Sequence, residues 1–304
     1  MLRHLIFLII VALSYCSKTF VMSEARTQTK YEEVTSPFTF LPGSTLFPPL
    51  AADYLEPRVG LRKEIGSSRM KLDVGSMLDL LEYTIPGDNS KKLRLGIEFF
   101  TYALTTSVRG LRLQVDAVDG IFGGHVLYDA AGERSAFSVR LRILHLSAHF
   151  VDGHFDSASD QWNDGRNPVP FTKDFGELLG AYEFRLSGTN IWLLAYSGFS
   201  YATLIRPTDI RRFAIVHGIQ IRTADEFSHI FDKPFILYAA DHLTLVGIPE
   251  YIGTNNLEFG MKFGRWSESG IRIYLSYFKG LDIFSQYYDV RRNEWGVGFA
   301  FDFW

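Results

Sequence analysis

The chain is poor in cysteine, in charge and in long apolar runs. Cys16 is the single cysteine among 304 residues, so no disulfide framework can hold the fold. Charged residues make up 21% of the chain and the formal net charge is −3, which leaves no basic footprint for nucleic acid. Beyond residue 25 no apolar run approaches the roughly 20 residues of a membrane-spanning helix. What the sequence does carry is aromatic: Phe, Trp and Tyr supply 15% of it.

The first residues read as a secretory signal: Arg3 and His4, an apolar run over 5–13, then Ser23-Glu24-Ala25 with cleavage expected before Arg26. Lipidation at Cys16 is the alternative processing. Residues 26–55 hold Pro37, Pro42, Pro48 and Pro49, which disfavour helix and central strand. This Pro-rich stretch is expected to be an N-terminal extension, either a periplasmic tail or a partial plug.

From about residue 56 to the end the period is two. Leu93, Leu95, Ile97 and Phe99 alternate with Arg94, Gly96 and Glu98. Leu111, Leu113, Val115 and Ala117 alternate with Arg112, Gln114 and Asp116; Val139, Leu141 and Ile143 alternate with Arg140 and Arg142. The same rhythm runs through 257–263, 271–277 and 295–303. Alternation alone fits a soluble sandwich with one wet face. The signal, the large aliphatic and aromatic apolar faces, and Tyr and Trp near strand ends favour a membrane barrel. The expected fold is all-β, a single transmembrane antiparallel barrel of about twelve strands near 57–64, 69–79, 92–103, 110–120, 136–150, 176–187, 190–204, 211–222, 233–242, 255–264, 270–279 and 294–304. Its place is the bacterial outer membrane. The stretches 151–175, 243–254 and 280–293 are then long extracellular loops.

Parity places Arg94, Glu98, Arg112, Asp116, Arg140, Arg142 and Arg272 in the lumen, with Glu183, Arg185, Glu258, Lys262 and Asp302. Charges lining an open lumen would tune a narrow pore. Interspersed signs on neighbouring strands favour a lumen closed by salt bridges instead.

The same parity turns His145, Ser147 and His149 toward lipid, near the outer end of their strand. A serine nucleophile needs a base in reach and a third group to orient that base. His145 would be the base for Ser147. Asp174, on the outward parity of the next strand, or Asp152 in the loop above would be the third member. The competing readings are plain rim polarity and metal binding by His149, Asp152, His154 and Asp156. The loop acids Asp156, Asp160 and Asp164 could hold calcium, and a bound cation could also supply the missing oxyanion donor.

Two resemblances accompany these residues. Arg142-x-x-His145-x-Ser147 resembles the Arg-x-x-His-x-Ser signature of outer-membrane phospholipase A, a twelve-stranded barrel with His and Ser on its outer wall. Eight-stranded lipid A deacylases use a similar outward His-x-Ser pair. Ala148 stands where that signature usually has Asn, and the usual third member has no obvious counterpart. Phe40-Leu-Pro-Gly, Phe47-Pro-Pro-Leu-Ala-Ala-Asp, His145-x-Ser-x-His149-x-x-Asp152 and Gln286-Tyr-Tyr-Asp look like a family of Gram-negative outer-membrane barrels of unknown function, over most of the mature chain. The first resemblance implies a lipid acyl-ester hydrolase, with lipopolysaccharide or phospholipid as partner; the second implies location and fold rather than activity. The alternatives are a narrow pore and a structural barrel that docks a periplasmic or barrel partner. The terminal aromatics Phe303-Trp304 resemble the signal read by the outer-membrane insertion machinery.

Overall fold

The computed structural model describes residues 36–303 apart from 109–111, 226 and 231–232. The expected signal segment, Cys16 and Trp304 lie outside the described residues. Twelve long strands form the wall: β1 (Val59–Glu64), β2 (Arg69–Thr84), β3 (Lys91–Val108), β4 (Arg112–Ala131), β5 (Ser135–Phe150), β6 (Phe171–Arg185), β7 (Ile191–Arg206), β8 (Phe213–Thr223), β9 (Lys233–Ile248), β10 (Glu250–Phe263), β11 (Gly270–Leu281) and β12 (Arg291–Asp302). Each pairs antiparallel with its chain neighbour, and β12 closes on β1 through Gly296↔Glu64 and Phe301↔Val59. Closure gives each of the twelve strands a partner on both sides, the condition for backbone to cross hydrocarbon. A short strand, Phe38–Phe40, adds to the lower part of β2.

The outward residues are large, apolar and bare. Ile143 is 68% exposed and Phe99 66%; Leu95, Ile97, Ile219 and Ile273 are exposed beside them. Such a contiguous apolar belt is a lipid contact surface rather than a water-facing one. Tyr201, Phe213, Tyr251 and Trp295 gather toward one end, and Phe137, Tyr182 and Phe303 toward the other. The loops at these two ends differ. At one end connections 85–90, 132–134, 186–190 and 264–269 are short and 224–232 is longer; at the other 65–68 and 249 are short, but 151–170 is by far the longest connection and 282–290 covers the mouth. Short turns mark the periplasmic end.

The wall departs from its expected outline in three places, each with a cause. The connection expected at 121–135 is strand, because β4 continues to Ala131. Its glycines make room instead of turning the chain: a Cβ at Gly123 would fall on the Ile143 carbonyl. The loop expected over 243–254 is a hairpin whose only unpaired residue is Pro249, with Ile248 opposite Glu250; proline is tolerated at such a tip. A bulge between Leu104 and Thr105 leaves Asp116 without a partner. One extra residue flips every later side chain to the other face, so Ala117 is buried inside rather than facing lipid.

Of the two expectations for the Pro-rich stretch, the lower part of it forms a plug. Phe47, Leu50, Ala51, Ala52 and Asp53 are buried within the barrel. Gln220 grips this segment twice, accepting from the Ala51 N–H at 3.1 Å and donating to the Pro49 carbonyl at 3.3 Å. Asn256 Nδ2 donates to the Ala52 carbonyl at 2.7 Å. Arg140 pairs with Glu56 at 2.5 Å, and its guanidinium lies 4.6 Å from the Phe47 ring centroid. Arg142 Nη2 donates to the Leu55 carbonyl at 3.2 Å. Above the plug, 282–290 caps the outer mouth: Gln286 Nε2 donates to the Ala148 and Val169 carbonyls at 2.8 and 2.7 Å.

The lumen charges are consumed within the wall and plug. Glu98 receives Arg142 at 2.6 Å and His125 at 3.1 Å. Arg94 pairs with Asp79 at 2.7 Å, and Arg272 with Asp302 at 3.0 Å and Glu258 at 3.5 Å. Asp116 is buried and accepts from Gln114 at 3.0 Å. The Arg112 side chain is outside the described residues. Gly96 lets His125 reach its two carboxylates, since a Cβ there would stand 2.3 Å from the imidazole Nε2.

Candidate functional site on the outer wall

β5 presents His145, Ser147 and His149 outward while Leu144, Leu146 and Ala148 are buried inside. In register with His145 on β6 stands Asp174. His145 Nδ1 lies 2.6 Å from Asp174 Oδ1, with the two side chains 34% and 46% exposed. The Phe122 ring, opposite His145 on β4, packs on the imidazole with centroids 4.9 Å apart. A carboxylate on Nδ1 fixes the tautomer that leaves Nε2 as the acceptor, the arrangement a general base needs. An aromatic wall on one side restricts ring rotation.

Ser147 stands two residues along the same face, about 6.6 Å along the strand. No hydrogen bond joins its hydroxyl to His145. Its neighbours across the ladder are Gly120 on β4 and Thr172 on β6. A Cβ at Gly120 would meet nothing within 4 Å, so a notch opens beside the Ser147 hydroxyl. Thr172 sets a second hydroxyl on the same face, at the roughly 5 Å Cβ spacing of directly opposed residues. The Asp152 side chain is outside the described residues.

Among the described residues the rim cluster does not assemble. His149 is exposed on the outer face, whereas His154 is buried in the mouth and stacks on Phe150 at 4.3 Å. The Asp156 carboxylate closes its own turn, accepting from the Ala158 N–H at 3.0 Å and the Ser159 hydroxyl at 2.7 Å. These bonds hold that carboxyl below its ordinary pKa. Among the described residues no group of three His, Cys, Asp or Glu converges as metal ligands. Arg142, the first residue of the Arg-x-x-His-x-Ser pattern, points the opposite way, into the lumen, where Glu98 and Glu177 hold it at 2.6 and 3.3 Å.

A second outward pair escaped sequence reasoning. Ser197 on β7 and His217 on β8 are directly opposed, with Ser197 Oγ 2.9 Å from His217 Nδ1. Both sit on recognisable outward parity; what sequence does not show is the register that makes them neighbours. No carboxylate bonds His217 among the described residues. Ser197 pairs with Gly180, six residues below Asp174 on β6. That separation is about 20 Å along the strand, which puts this pair deeper in the hydrocarbon than His145.

No protein-family model matches the sequence, and no curated protein matches it. Among solved structures the chain is similar to LpxR from Salmonella typhimurium, with 10% identity, 80% of this chain and 98% of that one covered, and a TM-score of 0.40. It is also similar to the outer-membrane expressed OmpT of Vibrio cholerae, with 13% identity, 82% and 95% covered, and a TM-score of 0.35. A closed twelve-stranded antiparallel barrel with an apolar outer belt is an outer-membrane barrel, and its place is the bacterial outer membrane.

Proposed function

We propose that the protein is an outer-membrane lipid acyl-ester hydrolase acting from its lipid-facing wall. The observation that carries this reading is the His145–Asp174 contact at 2.6 Å on the outer face. Carboxylate and imidazole facing lipid are costly unless something uses them. Here they are oriented as base and orienter, next to a serine with open ground beside it. Ser147 Oγ attacks the ester carbonyl carbon while His145 takes its proton. The tetrahedral intermediate expels the lipid alcohol, which leaves with the proton returned by His145. Water then attacks the acyl-Ser147 ester, again through His145, releasing the fatty acid and restoring the serine.

The Thr172 hydroxyl is the side-chain donor placed to serve the oxyanion. Calcium would be an alternative electrophile, and among the described residues no set of ligands for it converges. The depth of His145 near the outer end of its strand matches where acyl esters sit, whereas the Ser197–His217 pair lies among acyl chains.

The test is release of fatty acid from lipid vesicles by the refolded barrel, with and without calcium. Ser147→Ala and His145→Ala abolish it, Asp174→Asn lowers it, and all three retain heat-modifiable gel mobility. Release that persists in Ser147→Ala refutes the assignment. The pore alternative meets a lumen filled by residues 47–58 and predicts conductance from the wild-type barrel in planar bilayers.

A further inference from the structure

The outer end of β7, the turn that follows and the start of β8 bring Arg206, Arg211 and Arg212 into one open pocket of about 440 Å3. Tyr201, Phe213 and Tyr251, part of the aromatic edge of the lipid-facing belt, also line that pocket. We infer that this pocket binds the phosphorylated headgroup of an outer-leaflet glycolipid.

The buried arginines of the barrel are matched with acids, as Arg62 is with Glu294 at 2.9 Å and Arg222 with Glu183 at 3.0 Å. Arg206, Arg211 and Arg212 have no carboxylate within 4.0 Å among the described residues. Asp209, the acid of the same turn, accepts from the Tyr288 hydroxyl at 3.3 Å. The guanidinium groups are instead steadied by carbonyls. Arg211 Nε donates to Pro249 O at 2.9 Å; Arg212 Nη1 donates to Thr203 O at 2.6 Å and Ala202 O at 3.3 Å. Each guanidinium has five N–H donors in a planar fork that suits phosphate oxygens. Most of those donors are unspent here, and three like charges share a small pocket with no counter-ion from the chain. An anion with several oxygens is the ligand this arrangement fits.

The aromatic lining narrows the choice. A free phosphate has no use for three aromatic rings, whereas a lipid sets phosphates above the belt and acyl chains against it. Anionic headgroups are drawn to basic pockets at this depth. The pocket also adjoins the candidate catalytic groups. Arg212 holds Thr203, Thr203 Oγ1 lies 3.3 Å from the Asp174 carbonyl oxygen, and Asp174 holds His145. From β8 to β5 is three strand spacings, roughly 14 Å. One lipid can therefore anchor its phosphate at the arginines and lay an acyl ester near Ser147. The binding site needs only the orientation of the barrel and stands apart from the chemistry at Ser147.

The test is a titration of the full-length refolded barrel in zwitterionic micelles with bisphosphorylated lipid A, and with the same lipid after removal of both phosphates. The expected result is at least tenfold weaker binding of the phosphate-free lipid. The double substitution R211Q/R212Q, checked for folding by heat-modifiable mobility, produces the same loss toward the phosphorylated lipid, and millimolar inorganic phosphate does not displace it. Equal affinity for the two lipids overturns the inference, as does full displacement by inorganic phosphate or an unchanged affinity in the folded double variant. Ser147→Ala binds as the wild type does. Phosphate-dependent binding without any hydrolysis would remove the hydrolase reading and leave this site in place; hydrolysis without phosphate preference would do the reverse.

Discussion

Replacing Arg142 by Met tests whether the lumen is held by paired charges. Arg142 is fully buried. Its Nε lies 3.1 and 3.0 Å from the two Glu98 oxygens and its Nη2 2.6 Å from one of them. Its other contacts reach Glu177 at 3.3 Å and the Leu55 carbonyl of the plug at 3.2 Å. Met fills much of the volume and supplies no donor, so Glu98 keeps only His125, and Glu177 keeps Arg140 at 3.6 Å. Removing one partner of a buried pair costs about 3–5 kcal/mol, because the other charge stays buried without compensation. At about 1.4 kcal/mol per tenfold, the folding equilibrium should shift by about two to three and a half orders of magnitude. The assay is reversible urea titration of the barrel in lipid, followed by tryptophan fluorescence and gel mobility. A second variant, R142M/E98Q, removes both charges and should recover much of the loss. A loss below about 1 kcal/mol in R142M, or a double variant no better than the single, would refute the claim that these charges are mutually compensating.

Other expectations follow from the same geometry. Deleting residues 44–58 should convert a barrel that is silent in planar bilayers into a conducting one; equal conductance before and after would show that the segment does not block the lumen. Burial alone would push the Asp53 carboxyl up, but His242, the Leu55 N–H, Arg140 and Arg142 outweigh it and hold it below its ordinary value. A depressed folded-state value stabilises the plug above the ordinary carboxylate pKa of about 3.9, and that contribution is lost as pH falls below it. Acidification from about pH 5 to about pH 3 should therefore loosen the plug, read as protease access to residues 44–58, and Asp53→Asn should flatten that step. Gly120→Val should fill the notch beside Ser147 and suppress fatty-acid release while the barrel still folds, because the position has open space around it; undiminished release would place the substrate elsewhere.

Much of the wall was legible from residue pattern because a barrel strand writes its two environments into alternate residues. The runs around Leu95, Ile143 and Ile273 carried that message, and the parity of β5 put His145 and Ser147 on the outer face. Asp174 was reachable by the same counting on β6. Register was not legible. It depends on bulges, such as the one at Asp116 that reverses the faces of β4 beyond it, and no local preference announces them. The Ser197–His217 contact rests on the pairing register of β7 and β8, and the arginine pocket on the shape of the turn between them and its approach to Tyr251, so they too were out of reach. The plug was half legible: its prolines excluded strand, but the Gln220 and Asn256 side chains that receive it give no sign of that role in their own strands.

The most direct test of the outer-wall chemistry is covalent labelling of the folded barrel with a fluorophosphonate, mapped by peptide mass. One adduct is expected, on Ser147, lost in His145→Ala and weakened in Asp174→Asn. A folded barrel that takes no label, or takes it on Ser197, would contradict that chemistry.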